Sequence, residues 1–320
     1  MKISRRSFVG LISAATLVRP ALAADKIVGG TLGGQAPLWP FYIGAHKGLF
    51  AADNLDVEIN FAQSGAAITQ QLTAGSLNVV LSVGITDPIH AIDKGAPLAL
   101  VRIIGNVPPY VLIGKAGLKS IADLKGKIVS VGAASDPTTL YFERMAAANG
   151  LKQGEYETRS AGVAAARFAA LQAGVVDAAM VLPPLNFRAV QAGFVTLGLA
   201  ADYVKDLPFT GMAVYKPWAA ANTMLVKRLL AATDSCVAWF GDGTHRQEAI
   251  DLLVAVAHAK AADAGASYDL LRRIAYFEPT SNVSRRKLQN LIDVERNAAR
   301  VSGTLTPERL VMPGVTTLTD

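Results

Sequence analysis

The chain has 320 residues, 51% of them apolar and 18% charged. At about 150 residues per domain that is material for roughly two domains with buried cores, and it excludes a disordered chain. The one cysteine, Cys236, excludes a disulfide framework and every multi-cysteine zinc or iron–sulfur motif. A formal net charge of +6 would suggest a nucleic-acid partner, but part of that charge sits in the first residues and has another meaning.

Residues 1–23 read as a signal peptide. Lys2, Arg5 and Arg6 make a basic start, an apolar stretch runs from Phe8 to Val18, and Ala21-Leu22-Ala23 places small residues where a signal peptidase reads them. Arg5-Arg6, between Ser4 and Ser7-Phe8-Val9, resembles the twin-arginine signal that exports folded cargo; an ordinary secretory signal is the alternative. The apolar stretch falls well short of the about 20 residues that a spanning helix needs. Cleavage after Ala23 would remove Lys2, Arg5, Arg6 and Arg19 and leave a chain close to electrical balance. No cysteine stands at the cleavage point, so no lipid anchor is expected there. The expectation is a free periplasmic protein without a nucleic-acid partner.

Strands are predicted near 26–32, 55–61, 78–83 and 98–104, alternating with helices near 40–50, 66–75 and 86–95, and the pattern restarts at 127. Such alternation predicts parallel sheets with crossover helices, an α/β fold. Two internal matches support a duplicated plan. Lys26-Ile27-Val28 recurs as Lys127-Ile128-Val129, and the segment from Ala67 to Val80 lines up with that from Ala166 to Ala179. In both copies of the longer segment a helix ends at a glycine, and Asn78 or Asp177 introduces a short apolar strand. After about Tyr215 the reading is helical, near 217–240, 245–263, 267–276 and 284–301, with Pro217 at a first-turn position. The division expected is 24–106 and 208–320 for lobe I with a helical C-terminal tail, and 107–207 for lobe II. The two chain crossings, near Gly105-Asn106 and Pro208 to Gly211, are the candidate hinges.

In parallel α/β sheets ligands bind beyond the carboxyl ends of the strands, which selects the turns there as candidates. They supply Gln35, Leu38 and Trp39, then Gln63, Ser64 and Gly65, then Gly84, Thr86 and Asp87. The second lobe adds Ser135, Asp136, Thr138, Pro183 and Asn186. Trp39 would wall in a ligand or pack its own helix. Asp87-Pro88 and Asp136-Pro137 both read as an N-cap with a first-turn proline, and capping is the preferred role for these carboxylates over direct contact. Arg167 and Arg188 are candidates for pairing a ligand anion, against the commoner role of an exposed helical arginine. His46, His90, His245 and His258 lack metal-ligand spacing, and no nucleophile elbow or nucleotide loop is present. No metal, cofactor or catalytic residue is expected.

The segment Pro37-Leu38-Trp39-Pro40-Phe41-Tyr42-Ile43-Gly44-Ala45-His46-Lys47-Gly48-Leu49-Phe50, continuing through Leu55-Asp56-Val57-Glu58, resembles the opening of the periplasmic solute-binding proteins of nitrate/sulfonate/taurine ABC importers. Ser120 to Lys127 and Ala169 to Ala178 are similar to that family's second-lobe signatures. The resemblance covers about residues 26–300 and implies the type II periplasmic-binding fold, two similar lobes around a cleft with two hinge crossings. Where many relatives place an acidic or aromatic residue before a proline, this chain has Leu182-Pro183-Pro184, so that contact is not carried over. Thiamine-pyrimidine synthases share the fold, but their cysteine-rich motif has no counterpart in a chain whose one thiol is Cys236. The function implied is that of a non-catalytic, monomeric receptor. It would capture a small organic solute and deliver it to an inner-membrane ABC permease and its ATPase. An exported enzyme or a ligand-sensing module on the same fold is the alternative.

Overall fold

The computed structural model describes residues 24–32, 36–62, 64–132, 136–257 and 260–320; the proposed signal peptide, Gln35, Gln63, Ser135 and His258 lie outside them. The chain lays down β1 (Asp25–Leu32), α1 (Trp39–His46), α2 (Leu49–Ala52), β2 (Leu55–Ala62), α3 (Gly65–Thr73), β3 (Val79–Gly84), α4 (Thr86–Asp93) and β4 (Leu98–Gly105). It then builds β5 (Val111–Gly114), β6 (Ile128–Val131), α5 (Thr138–Ala148), β7 (Glu157–Ser160) and α6 (Ala164–Gln172). β8 (Ala178–Val181), α7 (Leu185–Gln191), β9 (Val195–Leu199) and α8 (Ala200–Tyr203) complete that part. The chain returns through β10 (Thr210–Tyr215) and ends in α9 (Lys216–Ala221), α10 (Thr223–Gly241), α11 (Arg246–Ala257), α12 (Ala261–Arg273), α13 (Arg285–Asn297) and α14 (Pro307–Leu310).

Two five-stranded sheets result, ordered β2-β1-β3-β10-β4 and β7-β6-β8-β5-β9. The orders are the same plan twice, with β6, β7 and β8 standing where β1, β2 and β3 stand. Neither sheet is wholly parallel, which corrects the expectation from sequence. β10 runs antiparallel to β3 and β4, and β5 antiparallel to β8 and β9. The reason lies in the crossings. β4 delivers the chain to the carboxyl end of its own sheet, so the next strand enters the other sheet from that end and must run against its neighbours; β10 repeats this on the return.

The internal repeat is visible in single hydrogen bonds. Gly75 and Gly174, both at φ +74, occupy the left-handed position that glycine adopts without a Cβ penalty. Each helix ends on one pair of bonds, Gly75 N to Leu72 O and Ser76 N to Gln71 O, matched by Gly174 N to Leu171 O and Val175 N to Ala170 O. Asn78 Oδ1 then accepts from Val28 N at 2.8 Å, and Asp177 Oδ2 accepts from Ile128 N at 3.0 Å. Each side chain thus staples the incoming central strand, β3 or β8, to its neighbour β1 or β6.

β4 is buried along its whole length, in keeping with a strand covered on both faces. The second sheet's edge strand β7 is exposed throughout and carries the Glu157–Arg159 pair at 2.9 Å, a charged edge that resists pairing with another chain. The tail is helical as expected, with α9 and α10 separated at Asn222 and a two-residue parallel pair joining Val283–Ser284 to Leu318–Thr319. Among the described residues no helix is long and apolar enough to cross a membrane.

Candidate functional site

A cavity of about 190 Å³ lies between the lobes and takes its lining from both. The first lobe contributes the end of β1 at Leu32, the turn before α1 at Leu38, the start of α3 at Gly65, and the β3–α4 turn from Ser82 to Asp87. The second contributes Asp136 and Pro137 before α5, Tyr141 in its first turn, and Leu182 after β8. These are the carboxyl ends of parallel strands, where the general rule for such sheets puts ligands. The crossings supply Tyr110, Pro208 and Phe209, and Leu291 of α13 closes one side.

Asp87 is the second residue of α4, a helix whose N-cap Ile85 offers no side-chain bond. Its carboxylate does not cap, contrary to the preferred reading from sequence. It leans over Gly65, where an ideal Cβ would come within 2.2 Å of Oδ2. The Asp87 carboxyl receives no hydrogen bond among the described residues, and burial raises its pKa from the ordinary aspartate value. The nearby charge of Asp136 adds to that rise and His90 opposes it.

Asp136 does cap. Its Oδ1 accepts from Thr138 N at 2.8 Å and from Thr138 Oγ1 at 2.6 Å, and that hydroxyl accepts in turn from Gly132 N at 2.8 Å. Its Oδ2 lies 3.9 Å from Arg167 Nη1. Arg167 is 1% exposed, not the solvent-facing helical arginine that base rates favour. It spends its donors on Met180 O at 2.7 Å and Gly162 O at 2.5 Å, with its guanidinium 5.6 Å from the Tyr110 ring centre. Arg188 instead reaches Asp263 Oδ2 at 2.7 Å.

Three rings stand together at the cavity. Tyr110 lies 6.0 Å from Tyr141 and 5.7 Å from Phe209, the latter edge to face. Burial pushes the Tyr110 phenol up to about 12 and the Tyr141 phenol well above its ordinary value, so both remain protonated. Tyr141 is 3% exposed, and its hydroxyl has no hydrogen-bond partner among the described residues.

Of the residues selected from sequence, Leu38, Gly65, Gly84, Thr86, Asp87 and Asp136 line the cavity. Trp39 does not: it is 4% exposed and packs 6.4 Å from Phe240, because it opens α1 on the side that faces the C-terminal helices. Ser64 caps α3 by accepting from Ala67 N at 3.2 Å. Thr138 is consumed in the Asp136 loop, and Asn186 lines a separate hollow with Val111 and Leu270. Pro183 is outside the cavity lining, although its neighbour Leu182 belongs to it. Gln35, Gln63 and Ser135 lie outside the described residues.

Sequence reasoning missed Tyr110, Tyr141 and Phe209. Their signal was present in part, since Tyr110 and Phe209 sit on the two crossings and Tyr141 lies one turn beyond the Asp136-Pro137 helix start. A rule confined to turns at strand ends passes over both places.

Several known structures are similar over nearly the whole chain. The periplasmic aliphatic sulphonate-binding protein SsuA of Escherichia coli shares 21% identity with a TM-score of 0.72, covering 91% of this chain and 98% of that one. The alkanesulfonate-binding protein SsuA of Xanthomonas axonopodis pv. citri, bound to MOPS, shares 17% with a TM-score of 0.70, covering 93% and 100%. The periplasmic nitrate-binding protein NrtA of Synechocystis shares 16% with a TM-score of 0.62, covering 74% and 68%. At these identities the likeness establishes the fold, the two-lobed periplasmic-binding architecture. No curated protein sequence matches the chain. Residues 35–242 match the family model described as NMT1/THI5 like, a span that takes in the second sheet, the first sheet apart from β1, and the cavity lining apart from Leu32 and Leu291, and the chain belongs to that family.

Proposed function

We propose that the protein is the substrate-binding component of an ABC importer, a receptor that takes up a small organic solute between its lobes and hands it to a membrane permease and its ATPase. The observation that carries this reading is the cavity itself. It is built by residues of both sheets at the carboxyl ends of their parallel strands, so a ligand there gains contacts from both lobes and favours the closed arrangement. Leu38, Gly65, Thr86, Asp87 and Asp136 are the proposed contacts from the strand-end turns, with Tyr110 and Tyr141 as the aromatic wall. The lobes divide at 106–107 and 207–208, and the two crossings act as hinges. The periplasmic or sulfonate- and nitrate-binding character of the similar structures supports this role over an enzymatic or sensing one.

In the same reading residues 1–23 are a twin-arginine-type export signal, and the mature chain works in the periplasm as a monomer without a lipid anchor or cofactor. The test is native mass spectrometry of protein recovered from a periplasm, followed by small-angle scattering with and without the solute it retains. Compaction on rebinding is expected. A protein that retains nothing and keeps its dimensions with every solute offered would overturn the receptor role.

A further inference from the structure

The similar structures named for sulphonates and nitrate bind anions, and the cavity of this chain is built for the opposite charge. No lysine, arginine or histidine lines it among the described residues, whereas two carboxylates do. The nearby cations are already engaged. Arg167 lies behind the wall, shared between Met180 O, Gly162 O and the far oxygen of Asp136. His90 Nε2 meets Glu295 Oε2 at 2.8 Å. Asp87 is therefore the carboxylate at the cavity that neither an ion pair nor a hydrogen bond satisfies among the described residues. A half-buried carboxylate in that condition repels an anion and attracts a cation more strongly than it would in water.

Two further features point the same way. The rings of Tyr141 and Phe209 line the cavity beside Tyr110, whose ring already takes the Arg167 guanidinium at 5.6 Å; aromatic rings carry negative quadrupole density on their faces, the recognised surface for an alkylammonium group. The Tyr141 hydroxyl, on a residue that lines the cavity, has no hydrogen-bond partner among the described residues and is an acceptor in place for an N–H donor.

We infer that the solute is a small organic cation, an ammonium or amidinium group on an apolar body, seated between Asp87 and the Tyr110–Tyr141–Phe209 rings. This specifies the ligand class of the receptor reading and rests on it. Affinity comes from one charge-assisted pair to Asp87, ring faces around the charged head, and apolar contacts from Leu38, Leu182 and Leu291 around the body.

The test uses the full chain, stripped by denaturation and refolded, titrated calorimetrically with three matched sets: methyl-, butyl- and benzylammonium; the corresponding alcohols; and the corresponding sulfonates, with nitrate added. The expected result is that at least one ammonium binds about ten- to hundredfold more tightly than its alcohol, the range for a hydrogen bond to a charged group. No sulfonate, and not nitrate, should bind measurably. Asp87→Asn should bring that ammonium down to the level of its alcohol while leaving the alcohol unchanged, and Tyr141→Phe should weaken the ammonium alone. Thermal melts establish that each variant is folded, and Tyr141→Phe keeps the test alive if Asp87→Asn is not. A sulfonate or nitrate that binds more tightly than the ammoniums, or an ammonium affinity indifferent to both substitutions, would overturn the cation assignment and leave the receptor role standing. No binding by any member, together with no compaction by scattering, would overturn both.

Discussion

Asp87 sets a conflict between stability and binding. Its carboxyl titrates above the ordinary aspartate value in the folded protein, chiefly through burial. Between the unfolded value and that raised value the folded state holds the proton that the unfolded state has lost. Ionisation of Asp87 therefore lowers stability as pH rises through this window, and the full cost is present above it. Ligand-free Asp87→Asn is expected to melt higher than the parent at neutral pH, with the gain fading as pH falls through that window and gone below the unfolded aspartate value. Paired melting curves from acid to neutral pH measure this. A gain that is constant across pH would assign the effect to packing and not to charge. The same substitution should abolish the preference for ammonium ligands, so the residue that costs the empty protein stability is the one proposed to recognise its solute.

At the scale of elements, the two staples make a matched pair of predictions. Asn78→Ala and Asp177→Ala each leave a strand amide, of Val28 or Ile128, without its acceptor. Each should cost about 1–2 kcal/mol in urea unfolding, with Asp177→Ala the costlier of the two because it also removes the Lys115 Nζ–Asp177 Oδ1 pair at 2.9 Å. A larger loss is expected where β4 meets the tail. Arg102 has a side chain with no exposure; it is bound to Asp234 of α10, to Ser281 Oγ at 2.9 Å and to Glu278 O at 2.7 Å. Burial pulls its pKa down to about 10, and it remains charged at neutral pH. Asp234→Ala leaves Arg102 with Ser281 Oγ and Glu278 O alone and should cost about 1.5–3 kcal/mol by the same assay, the range for a hydrogen bond to a charged group, whereas joint replacement with Arg102→Met should recover much of the loss.

These elements also explain what the sequence could and could not reveal. The repeat was legible because its glycines and its Asn/Asp staples are local necessities, repeated at nearly one spacing. The reversal of β5 and β10 was not, since a strand's direction depends on the side from which the chain arrives, and no residue within Val111–Gly114 or Thr210–Tyr215 encodes that. At the site, the strand-end rule found Gly65, Gly84 and Asp87 because they belong to β-to-α turns. It misplaced Trp39 because the scarcity of aromatics says nothing about which side of α1 faces the C-terminal helices. Tyr110 and Phe209 reach the cavity along the crossings, where proline-rich sequence reads only as linker.

Across the whole molecule the tail ties the halves together. Arg188 of α7 meets Asp263 of α12, a carboxylate with a side chain only 5% exposed. On the receptor reading the Arg188–Asp263 pair, which joins the second lobe to the tail, is the contact that restrains lobe separation in the empty protein. Arg188→Ala should therefore enlarge the radius of gyration of the empty protein and leave the liganded value near that of the parent, as scattering would show. A saturating solute, at a hundred times its dissociation constant, should add about 2.7 kcal/mol to unfolding of the parent.

Thr210 pairs with Gly105 across β10 and β4. The stretch between them leaves the first sheet and rejoins it at one point, so in topology it is an insertion between two hydrogen-bonded neighbours. An insertion with adjoining ends asks little of its host, so a change in the inserted half of the cavity lining need not disturb the register of the host strands. The host lacks that freedom, because its sheet stays incomplete until the inserted half has been traversed and β10 arrives. In the order of the chain every strand of the inserted half precedes β10, so of the two five-stranded sheets the one that begins the chain is the last to have all its strands.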